Sequence, residues 1–245
     1  MWDNPRLLNL SANTLFALAG LLLATIALQL LLRSPLLPVK EAVVRGDLQR
    51  VNHEEVASAL EGSGGNFFAV DLGAVRDRLE RVAWVRRVEA RRIWPDRIEV
   101  RLEEHVPFAR WGDSGFVNTF GEPFAAVLDK PAQARLPLFA GPAGTEGELA
   151  RRYRIFSERL APLGLAPEQG AISALVLTPR HAWQLRLASG LTLELGRDGA
   201  EAVEQRLARF VAAYPESIGR LGRQYEHVDL RYPNGFALRV LGPKG

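Results

Sequence analysis

The side chains that could do chemistry are scattered through this 245-residue chain. The four histidines are His53, His105, His181 and His227. None forms an i,i+4 pair that a helix could turn toward one metal ion, and none lies at ligand spacing from a carboxylate pair. No G-x-S-x-G turn presents a serine nucleophile. Cysteine is absent, which removes thiolate catalysis, disulfide staples and thiolate metal sites. The glycine-rich stretch Gly62-Ser63-Gly64-Gly65 lacks the Gly-Lys-Ser/Thr ending of a phosphate loop. Between Arg81 and Arg101, seven arginines stand against Glu89, Asp96 and Glu99. That run reads as a solvated strand face, or as a contact for anionic headgroups or an acidic partner. The final apolar strand ends a few residues before Gly245, and a terminal strand is often a sheet edge with unpaired N–H and C=O groups. No catalytic residue, metal or cofactor is expected.

Composition agrees with a folded, membrane-tethered chain. Hydrophobic residues make up 47% and charged residues 24%, enough for packed cores. The net charge is only +3, too small and too dispersed for a nucleic-acid binder. From Leu7 to Leu32 no residue is charged, and Leu15 to Leu32 is almost wholly apolar. As a helix that stretch covers roughly 27 to 39 Å, against a hydrocarbon layer of about 30 Å. It is longer than a signal-peptide core and exits into Arg33-Ser34-Pro35 without a small-residue cleavage site, so an uncleaved anchor is expected. The domain reading is a short head over 1–13, a transmembrane helix over 14–34, a first domain over 38–106 and a second over 107–242. Arg6 precedes the span while Arg33, Lys40 and Arg45 follow it, so flanking charge does not decide the orientation.

In the first domain Val39 to Val44 reads as a strand ending at Gly46, and Asn52 with Glu55 signals a helix start. Asp71 caps a second helix carrying Leu72, Val75, Leu79 and Val82 on one face. Two period-two runs then flank Pro95-Asp96, the pattern of a hairpin. The order is β-α-α-β-β, a compact α+β module. Trp84 and Trp94 read as partly buried packing residues. The second domain opens with turn residues from Gly112 to Pro131 and short apolar pieces around Phe116 and Phe124. Two helices carry Leu149, Tyr153, Phe156 and Leu160, and Val203, Leu207, Phe210, Val211 and Tyr214. Strands are expected at Ile172–Leu177, Trp183–Leu187 and Leu191–Leu195. A closing ribbon follows, in which Val228, Leu230 and Tyr232 face one way before Pro233-Asn234-Gly235 turns the chain into Phe236–Val240. The expected domain is a mostly antiparallel β domain with two helices.

Four stretches together resemble the FtsQ/DivIB family of bacterial division proteins: VKEAVVRGDL, WVRRVEARRIWPDRIEVRLEEHVPFARW, ARFVAAYP and HVDLRYPNGFAL. The second is the most specific, because it crosses the domain boundary. The resemblance implies that the first module is a POTRA domain and the second the family's β domain. It implies a single-pass protein of the bacterial inner membrane, N-terminus cytoplasmic and body periplasmic, recruited to the division septum. It further implies a direct complex with FtsB and FtsL, and links to FtsK, FtsW and FtsI. FtsB would add a strand to the closing ribbon, matched here by Arg231, Tyr232, Pro233, Asn234, Gly235, Phe236, Ala237 and Leu238 and continuing through Arg239 and Val240. By the same resemblance Arg231 and Tyr232 touch the partner, unless Tyr232 is a core residue. Arg180 or His181 would pair with a partner carboxylate. The alternative is a POTRA-bearing component of outer-membrane protein assembly or secretion, for which roughly 135 residues after the module are few to build a large barrel.

Overall fold

A computed structural model describes residues 5–33, 38–62, 64–113, 115–163, 171–199, 201–217, 220 and 225–240. The chain divides into two units, Met1–Glu104 and His105–Gly245.

The first unit begins with α1 (Pro5–Arg33), nine residues earlier than the apolar pattern alone predicts. Its 23-residue stretch Asn9–Leu31 is long and apolar enough to cross a membrane. Two threonine hydroxyls there bond back to the helix, as hydrocarbon requires: that of Thr25 donates to the Leu22 carbonyl at 2.7 Å and that of Thr14 to the Ser11 carbonyl at 2.8 Å. Beyond it lie β1 (Glu41–Arg45), α2 (His53–Leu60), α3 (Leu72–Leu79), β2 (Val85–Ile93) and β3 (Arg97–Glu104). The Asn52 carboxamide oxygen accepts from the Glu54 N–H, and the Asp71 carboxylate accepts from Gly73 and Ala74. Each fills the vacant donors of a helix start. The sheet order is β1-β3-β2, with β1 parallel and β2 antiparallel to β3. Val56, Val75, Leu79, Val88, Ile98, Val100 and Leu102 close the core between helices and sheet.

The arginine run is largely ion-paired along this sheet. Glu99 is buried between Arg45 at 3.2 Å and Arg91 at 2.7 Å, Arg86 meets Glu103 at 2.9 Å, and Arg97 meets Glu41 at 3.1 Å. The Glu104 carboxylate is structural, accepting from the N–H groups of Gln49, Arg50 and Val51. One expectation fails. Trp84 is buried, with the Arg50 guanidinium 5.3 Å from its ring, but Trp94 is 77% exposed. Trp94 follows the last residue of β2, beyond the final paired residues Ile93 and Arg97.

The second unit contains β4 (Pro107–Trp111), β5 (Gly115–Asn118), β6 (Pro123–Phe124), α4 (Lys130–Ala134), β7 (Leu138–Ala140), α5 (Glu146–Leu160), β8 (Ile172–Leu177), β9 (Ala182–Leu187), β10 (Thr192–Arg197), α6 (Val203–Ala213), β11 (Tyr225–Asp229) and β12 (Ala237–Val240). Among the described residues these strands form one sheet in the order β12-β11-β10-β9-β8-β7-β4-β5-β6. Five of its eight strand pairs are antiparallel; β4–β7, β7–β8 and β10–β11 are parallel. The two long helices are those read from the sequence, and the five-residue α4 is an addition. Helices α5 and α6 pack together, α5 against β8 and α6 against β10. Phe156, Trp183, Leu185, Leu193, Leu207, Phe210 and Val228 are fully buried in the layer between. Arg152 joins the two helices: it pairs with Glu204 and with Asp198 at 2.7 Å, and its guanidinium lies 5.6 Å from the Trp183 ring.

Candidate partner-docking edge

β11 owes its place to the alternation of buried Val228 and Leu230 with the polar residues His227 and Asp229. It runs parallel to β10, Leu193 beside Val228, and the Leu230 N–H extends the pairing by donating to the Glu194 carbonyl at 2.9 Å. The chain turns over Pro233 and Asn234 and returns as β12, antiparallel, with Ala237 opposite Asp229 and Leu238 opposite Val228. Among the described residues, β12 pairs on one side only. Its other side is a row of main-chain donors and acceptors at the sheet's margin.

Residues of α6 hold this ribbon in place. The Phe236 ring packs edge-on against Phe210 at 5.9 Å, and Leu238 is half-buried in the same cluster. Arg209 donates to the Tyr232 carbonyl at 2.9 Å and pairs with Glu201 at 2.6 Å. Arg206 donates to the carbonyls of Leu195 and Arg197. Phe236 is half-buried, and its ring supports the ribbon against α6. Pro233 lies in the turn, four residues before β12, and removes no donor from the strand. Ala237, Arg239 and Val240 are exposed.

Arg231 and Asp229 form a tight pair at the mouth of the turn. The Arg231 guanidinium donates from Nε to both carboxylate oxygens, at 2.9 and 3.1 Å, and from Nη2 at 2.6 Å. The Arg231 N–H adds a further bond to Asp229 Oδ1 at 3.0 Å. These hydrogen bonds, foremost the guanidinium's, hold the Asp229 carboxyl below the usual carboxylate range against the opposing effect of burial. The same pairing raises the guanidinium's affinity for its proton. Arg231 lies against Gly196, where an added Cβ would come within 2.9 Å of its Cγ. Gly196 sits at φ +75° in a β-bulge, a conformation glycine adopts freely. Tyr232 is 56% exposed, so of its two readings the core one is excluded.

Residues 231–240 thus gather in one ribbon, while Arg180 and His181 lie apart. They are exposed in the β8–β9 turn, where His181 has φ +57° and its N–H donates to the Thr178 carbonyl at 2.8 Å. Register places that turn at the same end of the sheet as the ribbon's turn: Ala182 pairs with Arg197, Glu194 with Asp229, and Asp229 with Ala237. Three strand spacings separate β9 from β12, about 14 Å. One added strand therefore cannot touch both. Reading the sequence missed Asp229, Arg209 and Gly196 as supports of the ribbon. The i,i+2 spacing of Asp229 and Arg231, which puts both on one strand face, was the available signal.

No group of three or more His, Asp or Glu residues suited to a metal ion occurs among the described residues. The geometry offers main-chain pairing and a charged, exposed rim. The second unit matches the family model described as cell division protein FtsQ/DivIB, C-terminal, over residues 109–231, and the first matches the POTRA domain, FtsQ-type, over residues 37–105. Over 245 aligned residues the chain is 42% identical to the cell division protein FtsQ of Nitrosospira multiformis, covering 98% of this chain and 99% of that one. It is 40% identical to that of Burkholderia pseudomallei over 99% of this chain and 95% of the relative. To that of Escherichia coli it is 30% identical over 82% and 72%.

Proposed function

Because this chain belongs to the FtsQ/DivIB family of bacterial cell division proteins, we propose that it is a non-catalytic scaffold of division, anchored by α1, that binds FtsB and FtsL through the residues after the span. FtsB lays a strand along β12, and FtsL enters as part of the same complex. Through that complex the scaffold is linked to the septal synthases FtsW and FtsI, and its POTRA module to FtsK. The protein sits in the inner membrane at the septum, N-terminus cytoplasmic and body periplasmic. One apolar helix of spanning length supports the anchor. The observation that carries the docking role is that β12 ends the sheet with one side of its main chain unpaired among the described residues. The reading as an outer-membrane assembly component loses support, because among the described residues the second unit is an open sheet bounded by β12 and β6 rather than a closed barrel.

Neighbouring residues of a strand point their N–H groups to opposite sides. Leu238→Pro and Arg239→Pro therefore remove one donor that faces β11 and one that faces outward. The outward variant keeps its melting temperature, since proline is tolerated on the free side of an edge. It is expected to bind the FtsB segment at least tenfold more weakly by calorimetry. Unchanged affinity in the variant that stays folded would remove β12 as the docking edge.

A further inference from the structure

Two large aromatic side chains of the POTRA module are left uncovered, and both lie where the chain leaves its span. Trp94 is 77% exposed and Phe68 47%. Phe68 is held in place: its neighbour Phe67 is buried with the two rings edge-on at 5.2 Å, and the Arg92 side chain donates to the carbonyls of Phe67 at 2.9 Å and Val70 at 2.5 Å. The same Arg92 stands two residues before Trp94, so the loop over 66–70 runs alongside the tip of the β2–β3 hairpin.

Both segments are tied to the exit from α1. The Asn66 side chain donates to the Leu31 carbonyl at 2.9 Å, in the last turn of the helix. Pro38 bridges to Asn66, and the Val39 N–H donates to the Gly65 carbonyl at 2.9 Å. On the hairpin side the Lys40 N–H donates to the Asp96 carbonyl at 2.9 Å, and its ammonium meets the Asp96 carboxylate at 3.0 Å. Four residues lie between Arg33 and Pro38, and the five steps reach at most about 18 Å. A membrane through which α1 passes therefore has its surface beside Phe68 and Trp94.

From this placement we infer that the POTRA module rests on the bilayer it emerges from, with Trp94 and Phe68 seated in the interfacial layer of phospholipid. This rests on α1 being a membrane span. Aromatic rings are favoured at that depth because the ring is buried among acyl chains and glycerol while the indole N–H finds an acceptor. The Asp96 carboxylate beside the tip is paired with the Lys40 ammonium, which limits its repulsion of phospholipid. The seat fixes how the module is held above its membrane.

The chain has no cysteine, so probes can be placed singly on the full-length protein in phosphatidylcholine vesicles. An environment-sensitive fluorophore is attached at Phe68→Cys, at Trp94→Cys, at Glu54→Cys on the exposed side of α2, and at Leu22→Cys within α1. Lipids bearing a nitroxide near the headgroup are expected to quench the probes at 68 and 94 at least twofold more than the probe at 54. Quenching at 68 should fall toward that at 54 in a Trp94→Glu background. Lipids bearing the nitroxide deep in the chain should quench the probe at 22. If 68 and 94 match 54 while 22 is quenched at depth, the anchor stands and the seat does not; that face then meets water or a protein partner. If 22 is not quenched, the span and the seat fall together.

Discussion

Asp229 and Arg231 decide how much of the rim is available to a partner. Arg231 has an exposed side chain, yet its Nε and Nη2 donors are committed to a nearly buried carboxylate at hydrogen-bond distance. A partner acid can approach it only as a second acceptor, so the pair is a support for the turn before it is a contact. Bidentate arginine–carboxylate pairs stand at the strong end of exposed ion pairs, and Asp229→Asn is expected to cost about 1 kcal/mol at pH 7. The Asp229 carboxyl is depressed in the folded chain, so its stabilisation is present above the ordinary value of 3.8 and lost as pH falls through the lower, folded value. Chemical denaturation of both proteins across pH 2 to 7 should show the gap between them closing at the acid end. A constant gap would mean that the carboxylate charge contributes nothing. Tyr232 is the opposite case. Its ring is exposed, and its carbonyl accepts from Arg209. Tyr232→Ala is expected to leave stability within about 0.5 kcal/mol, as for other surface substitutions. It should weaken capture of the FtsB segment severalfold by calorimetry, and equal affinity would strike Tyr232 from the docking surface.

At the scale of the element, β12 divides its residues between holding on and reaching out. Phe236 and Leu238 turn toward α6, while Val240 is 44% exposed at the far end of the same strand. Phe236→Ala empties a half-buried position against Phe210 and is expected to cost about 2 kcal/mol, below the 3–5 of a fully buried ring. It should reduce FtsB binding only in proportion to unfolding. Val240→Lys adds a charge of the kind that edges use against pairing. It should leave the melting temperature unchanged while lowering FtsB affinity, and a matched fall in both would mean that Val240 belongs to the core. The same division explains what sequence reading reached. Elements with a clear period were legible: α3 through Asp71, Val75 and Leu79, the hairpin across Pro95-Asp96, and β9 through Trp183, Leu185 and Leu187. The three-residue β7 is too short to carry a period, and its parallel pairing with β4 and β8 joins segments far apart in sequence. Trp94 was misread because residue type favours burial, whereas its place beyond the last strand pair decides exposure. The inward turn of Phe236 depends on a helix some 25 residues earlier, which no local pattern encodes.

At the scale of the whole molecule, the proposed function makes the anchor and the edge act together. A flexible strand binding to β12 alone must be ordered on docking, which costs roughly 2–5 kcal/mol and keeps its affinity modest. A partner held in the same bilayer is confined near that edge before it docks, so its effective concentration is set by the tether rather than by bulk solution. Full-length FtsB reconstituted with this chain in vesicles is therefore expected to pair at least tenfold more tightly than its soluble segment added to the same vesicles. The comparison can be read by energy transfer between a fluorophore at Glu54→Cys and one on FtsB. The gain should shrink when a long glycine–serine insert is placed between Arg33 and Pro38, because effective concentration falls with tether length once the span is reached. If soluble and anchored FtsB bind alike, α1 serves only to locate the protein. If the gain survives the insert, the two spans themselves associate. Gly20 has no glycine four residues away to form a close-packing motif, but Ala24 and Ala27 leave room for helix contact. Lengthening the tether thus separates confinement by the membrane from recognition within it.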